Sequence, residues 1–347
     1  MYIYIYMITL KKNIDNLFVN WLSINFVLIF FMILVGGLTR LTNSGLSITE
    51  WELFSGVLPP LSQSSWLIYF DLYKQIPQFK ILYPSMTLEE FKIIFYWEYA
   101  HRIFGRLIGL FFLLPLIYFY YSKKIDQKYL IPCYLIFFLI LCQGFVGWYM
   151  VKSGLVNDVT VSHYRLSLHL TIAMIIISLI FWLILNFKNK KNKSFFNFSK
   201  KTFPYLFLIL LIFAQIVFGA FVSGLDAGRI YQTWPLMNDS YFPDDFILKN
   251  YLDLTNFENH SLVQFYHRNL AYIISFYILI LGYFTFKREK KKFYKTTIVL
   301  FLILLIQIFL GIFVLLSGLN ISIASAHQIT SIILVLTAIR LYYITIN

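Results

Sequence analysis

Six histidines punctuate a chain that is otherwise poor in chemistry, and four of them, His101, His169, His267 and His327, stand near the outer ends of long apolar runs. Four residues after each comes a small residue, Gly105, Ala173, Ala271 or Ser331. That spacing returns to the same helix face. A flat macrocycle lying against a helix needs a shallow surface beside its axial ligand, and these residues supply one. Ionisable side chains inside membrane helices are costly and functional by default, and paired imidazoles are a common way to hold haem iron. Small residues at this spacing also serve plain helix packing, but the coincidence on four helices favours bis-histidine haem binding. Zinc or copper is disfavoured, because no Cys, Asp or Glu completes a compact ligand set in both halves of the chain. His163 and His260 have no counterpart and fall near loops.

Around the histidines lie charged residues with their own pattern. Arg102, Arg106, Arg165 and Arg268 stand at the outer ends of the same segments. Guanidinium groups there suit bidentate contact with haem propionates, Arg102 and Arg268 best, since each adjoins a proposed ligand; snorkelling into headgroups is an equal reading for Arg106 and Arg165. Glu98 and Gln264 each precede a histidine by three residues. Only Glu98 can exchange a proton or present a full charge, which points to one reactive site and one accessory haem. The plainer reading makes Glu98 a helix-start carboxylate favoured by the helix dipole.

The elements that must carry these residues follow from composition. The 347 residues are 59% hydrophobic and 13% charged. Exchanging the 26 Tyr for Gly in that count still leaves about 56%, above the ~45–50% of soluble domains. Apolar runs of the length a bilayer requires place eight helices at about 18–38, 98–121, 129–151, 163–186, 203–224, 264–286, 294–317 and 322–345. The expected fold is an all-α, polytopic membrane protein. Seventeen of the 29 basic residues fall in Lys11–Lys12, Lys123–Lys128, Lys188–Lys201 and Lys287–Lys295. These alternate with connections rich in acids, among them Glu50, Glu52, Asp158, Asp226, Asp245 and Glu258. This is the positive-inside pattern, so the net charge of +13 describes topology and nucleic acid is excluded as a partner. Both termini are expected inside, with the long connections 39–97 and 225–262 outside. The start, MYIYIYMITLKKN, reads as neither a transit nor a cleaved signal peptide. Cys133 and Cys142 lie nine residues apart on opposite helix faces and imply no disulfide.

The chain also repeats itself. Gln143-Gly-Phe-Val-Gly147 with Ser153-Gly-Leu155 recurs as Gln307-Ile-Phe-Leu-Gly311 with Ser317-Gly-Leu319, and Glu98-Tyr-Ala-His101-Arg102 recurs as Gln264-Phe-Tyr-His267-Arg268. Gly36 through Trp51 aligns loosely with Gly219 through Trp234. Two pseudo-repeated four-helix bundles are expected, an N-terminal half at 1–190 and a C-terminal half at 191–347, related by an axis along the membrane normal. Such bundles hold cofactors between facing helices.

Those motifs, together with Gly36-Gly-Leu-Thr-Arg-Leu-Thr-Asn-Ser-Gly45, Ser162-His-Tyr-Arg-Leu-Ser-Leu-His169, Gly219-Ala-Phe-Val-Ser-Gly-Leu-Asp-Ala-Gly228 and Ala326-His327-Gln328, resemble the haem A synthase family over nearly the whole chain. The resemblance implies a membrane oxidoreductase that converts haem O to haem A for cytochrome oxidase, taking a ring methyl group through an alcohol and a geminal diol to a formyl group. It implies haem O held at His101 and His169, Glu98 as the catalytic acid, and a haem b cofactor at His267 and His327. The implied partners are haem O, the lipid bilayer, haem O synthase, cytochrome oxidase assembly factors and an electron carrier of unspecified kind. The implied location is the bacterial cytoplasmic membrane or the mitochondrial inner membrane. One branch of the family has a cysteine pair in the first outer loop. Residues 39–97 contain no Cys, so the chain resembles the branch common to mitochondria and proteobacteria. Two other readings remain: a b-type cytochrome that passes electrons from a quinol, which leaves Glu98 and the outer loops without a task, and a haem transporter, which would need an inner gate that the short basic loops do not provide.

Overall fold

A computed structural model describes residues 2–50, 55–157, 159–287 and 291–346. Trp51, Glu52, Asp158 and residues 288–290, part of the basic segment Lys287–Lys295, lie outside the described residues. Ten α-helices form: α1 (Tyr2–Leu41), α2 (Gln63–Tyr73), α3 (Pro77–Leu82), α4 (Leu88–Ser122), α5 (Gln127–Asn157), α6 (His163–Lys188), α7 (Phe203–Gly224), α8 (His260–Lys287), α9 (Lys291–Leu316) and α10 (Ile321–Thr345). All but α2 and α3 are long and apolar enough to cross a bilayer. The protein is a multi-pass helical membrane protein, as its apolar runs require.

Packing arranges these spans into two rings of neighbours. Helices α1, α4, α5 and α6 close one ring, and α7, α8, α9 and α10 close the other. In the first ring α4 lies diagonally across from α6, and in the second α8 lies across from α10. The rings join where α6 meets α7 and α1 meets α10. The join is sealed at both ends. At the end that holds the C-terminus of α1, Arg40 donates to the Ser223 carbonyl at 2.5 Å and pairs with Asp226 at 3.2 Å. At the other end, Lys193 donates to the Tyr343 carbonyl at 3.1 Å and to the Ile346 carbonyl, while Tyr342 donates to the Phe195 carbonyl at 2.5 Å.

Two boundaries differ instructively from the apolar pattern. Helix α4 begins at Leu88, ten residues before the expected start, because Thr87 and Glu90 form a reciprocal capping box. His101 is therefore its fourteenth residue, well past the first two turns expected for it, and Glu98 is no helix-start carboxylate. The connection 39–97 is also not all loop. Trp66, Phe70 and Tyr73 follow helical spacing along α2 and pack against Leu46, Ile48, Phe91 and Phe95 to roof the first ring. Tyr73 is fully buried and donates to Gln78 at 2.9 Å, and Gln78 in turn donates to the carbonyls of Asn43 and Val159. Burial pushes the Tyr73 phenol well above its ordinary pKa, so it stays a donor.

The charge pattern gives a direct expectation. In a chain freed of Cys133 and Cys142, a single cysteine at Asn250 should react with an impermeant thiol reagent applied outside, and one at Lys191 should not. Labelling of position 191 from outside would invert the topology.

Candidate functional site

The four histidines fall on the diagonal helices: His101 on α4 and His169 on α6, His267 on α8 and His327 on α10. Each is half-buried. In the first ring the two imidazoles come together across the diagonal, with ring centres 6.4 Å apart and planes inclined by 50°. Two metal–imidazole bonds of about 2 Å each, plus the span from each coordinating nitrogen to its ring centre, add to about 6 Å. The pair is thus spaced for one metal ion between them.

What seats each ring is a glycine on the preceding span. A Cβ added to Gly36 would come within 2.9 Å of His101 Cε1, one on Gly147 within 3.0 Å of His169 Cε1, one on Gly219 within 3.1 Å of His267 Cε1, and one on Gly311 within 3.0 Å of His327 Cε1. Thus one diagonal of each ring supplies histidines and the other supplies the backbone they rest on. One turn before three of these glycines stands a glutamine. Gln143 donates to the carbonyl of His169 and Gln215 to that of His267, both at 3.0 Å. The Gln307 amide nitrogen lies 3.4 Å from His327 Nε2, and that of Gln215 lies 3.5 Å from His267 Nε2. Only His327 has its Nδ1 on a carbonyl, that of Gln307 at 3.1 Å, whereas the buried Nδ1 of His101, His169 and His267 is unpartnered among the described residues. Seats a Cβ would fill and rings with unspent nitrogens fit a group that arrives from outside the chain. The sequence displays Gln215-Ile-Val-Phe-Gly219 in the same frame as the two glutamine–glycine motifs noted above, so this third member was legible. The role of the glycines was not, because it exists only between helices.

The seat has a test with a built-in control. On the expectation that His169 holds a haem, Gly147→Leu, which fills the space under its ring, should lower haem retention at least about tenfold, or about 1.4 kcal/mol. Gly144→Leu, where an added Cβ meets nothing within 4 Å, should retain the haem. Haem per protein in purified samples of both variants reads the difference.

Beside the histidines, Glu98 and Arg102 form a buried unit. Glu98 is 2% exposed. Its Oε1 accepts from Arg102 Nε at 3.0 Å and Nη2 at 2.6 Å, and its Oε2 accepts from Ser47 Oγ and the Ile48 amide, both at 2.8 Å. Arg102 also donates to the Ile48 carbonyl at 2.9 Å. The corresponding residues of the second ring do the same work without the carboxylate. Gln264 and Arg268 both donate to the Tyr231 carbonyl at 3.0 Å, and Arg268 to that of Leu236 at 3.2 Å. Each pair therefore pins the segment that follows α1 or α7 over the adjacent histidine. Gln264 Oε1 and Arg268 Nε are buried and unpartnered among the described residues. The Tyr231 segment is held further by Asp245, which accepts from Tyr231 at 2.6 Å and from Ser261 at 2.7 Å.

The remaining cations and histidines are accounted for locally. Arg106 reaches toward the Gly56 carbonyl at 3.5 Å. Arg165 donates to Ser153 at 2.5 Å and lies over the Tyr149 ring. His163 is buried at the first residue of α6, 3.9 Å from Glu258, and His260 opens α8. Neither joins the four seated rings.

Fold and site define a polytopic helical membrane protein with two diagonal pairs of seated histidines. Residues 19–339 match the family described as cytochrome oxidase assembly protein, and the chain belongs to that family. It is 49% identical to the haem A synthase of Pelagibacter ubique over 93% of this chain and 95% of that protein. It is 41% identical to the haem A synthase of Rickettsia felis over 95% and 98%, and 42% identical to that of Wolbachia pipientis wMel over 90% and 88%. These similarities extend over both rings and leave the reading as a plain electron-transfer cytochrome without support.

Proposed function

We propose that this chain is the oxidoreductase that turns haem O into haem A, with residues 1–190 as the substrate half and residues 191–347 as the cofactor half. The observation that carries the reading is the pair His101 and His169, spaced for one metal ion and seated on Gly36 and Gly147, in a chain of this family. His101 and His169 hold and orient the haem O macrocycle, whose farnesyl tail extends into lipid or an apolar groove of the first half. His267 and His327 hold haem b, which supplies a one-electron redox centre when bound. Arg268, with its Nε unspent, has a donor to offer a haem carboxylate. Arg102 spends its Nε on Glu98 and contributes through that carboxylate.

Glu98 distinguishes the halves. Four donors fix its carboxylate in a dry pocket, so it acts as preorganised negative charge near the oxidised carbon or as the acid that exchanges protons there. Helix α2 and residues 44–48 pack over that half beside Glu98. The proposed setting is the cytoplasmic membrane of a bacterium or the mitochondrial inner membrane, with both termini inside. Haem O synthase would supply the substrate, cytochrome oxidase assembly factors would receive the product, and an electron carrier would complete the redox balance.

Pigment extraction tests the reading. Membranes containing the protein should yield haem b together with haem O or haem A bound to it. Haem b alone, from protein expressed beside a haem O source, would make it a cytochrome and overturn the proposal.

A further inference from the structure

Gly36 and Gly37 are adjacent on α1 and serve different sites. Gly36 is the seat of His101 in the first ring. A Cβ added to Gly37 would come within 1.7 Å of Gln328 Oε1, and Gln328 follows His327, a histidine of the second ring. The Gln328 amide donates to the Ile33 carbonyl of α1 at 3.0 Å, one turn before Gly37. Helix α10 is therefore keyed into α1 by a polar side chain lodged in a notch that only glycine leaves open. The neighbouring face of α1, about 100° round the helix at Gly36, carries the His101 ring.

The key is not a general feature of the packing. Counted from the histidines, the position of Gln328 is occupied in the first half by Leu170, and that of Gly37 is occupied in the second half by Ala220. An apolar pair suffices at those positions, whereas the α1–α10 junction spends a half-buried amide. Small residues admit close backbone approach in membranes, and interhelical hydrogen bonds fix one register among several. We propose that Gln328 is a positioning residue that couples the two histidine sites: through Gly37 and Ile33 it sets the placement of α1, and hence of the Gly36 seat under His101, against the helix that bears His327. A change at either pair is felt at the other through this contact, beside the broader packing of α6 on α7. The coupling extends the two-site reading above, but the geometry itself involves only side chains of this chain.

Nitrogen-15 resonances of the histidine rings, recorded on the full-length protein as purified in lipid nanodiscs, test this. Each signal is assigned by single substitution. Gln328→Leu, close in volume but without the amide, should shift the His101 ring signals as well as those of His327 and leave His163 and His260 in place. Gly37→Ala should do the same by displacing Gln328. The double variant Gly37→Ala/Gln328→Asn shortens the arm by one methylene while keeping an amide, and should return His101 toward the wild-type position. A His101 signal unmoved by Gln328→Leu, or a double variant displaced as far as Gly37→Ala alone, would overturn the coupling. Should Gly37→Ala fail to fold, Gln328→Leu decides alone. Spectra are recorded on the chemically reduced protein, in which bis-histidine iron is low-spin and diamagnetic, so ring signals are read whether or not iron is bound. Wild-type His101 and His169 resonances free of iron ligation would therefore count against the proposed function and leave the coupling test intact.

Discussion

On the proposed division of the two halves, His267→Ala and His327→Ala are expected to strip haem b from the purified protein, at least about tenfold per variant, or about 1.4 kcal/mol. His101→Ala and His169→Ala should spare most of it and instead abolish retention of haem O. The expectation follows from placement: each pair sits on the diagonal helices of its own ring, and each ring packs internally through its own helix neighbours. The substitution is also clean. Gln143 and Gln215 donate to the backbone carbonyls of His169 and His267, so alanine removes the imidazole while keeping the bond that joins the two helices of the hairpin. The vacated space lies over Gly147 or Gly219, which brings no side chain to refill it. Extracted haems, quantified by type against protein, give the answer. Equal loss of haem b from all four variants would mean that the rings do not divide the work.

Much of this arrangement was legible in the sequence, and the remainder was hidden for physical reasons. Eight spans follow from apolar length alone, because a bilayer tolerates no other backbone solution for such runs. The histidines, Glu98 and Gln264 stood out as ionisable or polar groups where apolar residues are the norm. The start of α4 did not, since Thr87 and Glu90 act through a capping box in a stretch whose hydropathy is unremarkable. Helix α2 escaped notice for a related reason: its Trp66, Phe70 and Tyr73 stripe is short and sits among loop-forming residues. Adjacency to a histidine marks Arg102 and Arg268 in the sequence, whereas the loop carbonyls they bind come from fifty-four and thirty-seven residues upstream and leave no local sign. The Gly37–Gln328 notch joins residues from opposite ends of the chain, and no local pattern announces it. In each case the missed feature is a contact between segments, and the captured feature is a property of one segment.

Glu98→Gln should lower haem A output by about 100-fold, the scale set by removing one preorganised electrostatic group from an active site, with haem O or its hydroxylated intermediate accumulating. The structure sharpens what else to expect. Removing one partner from a buried ion pair costs up to about 3–5 kcal/mol, because the other charge is left uncompensated. Here Arg102 retains 11% side-chain exposure and its bond to the Ile48 carbonyl, which places the penalty toward the lower end. The second ring shows the accommodation available: Gln264 and Arg268 share one carbonyl acceptor, with Gln264 2% and Arg268 9% exposed. A glutamine at position 98 can adopt the same pose toward the Ile48 carbonyl, at the loss of the bond that the Ile48 amide now makes. The variant should therefore fold with a lowered Tm and keep its haem b. Gln264→Glu is the converse probe. It gives the Arg268 Nε, unpartnered among the described residues, an acceptor and should be tolerated without creating a second reactive site, because the proposal assigns that half a haem held as cofactor. Chromatography of haems extracted from cells carrying each variant separates the outcomes. Undiminished haem A from Glu98→Gln would reduce this carboxylate to a clamp on residues 47–50, and haem A made by a Glu98→Gln/Gln264→Glu double variant would move the reaction to the second half.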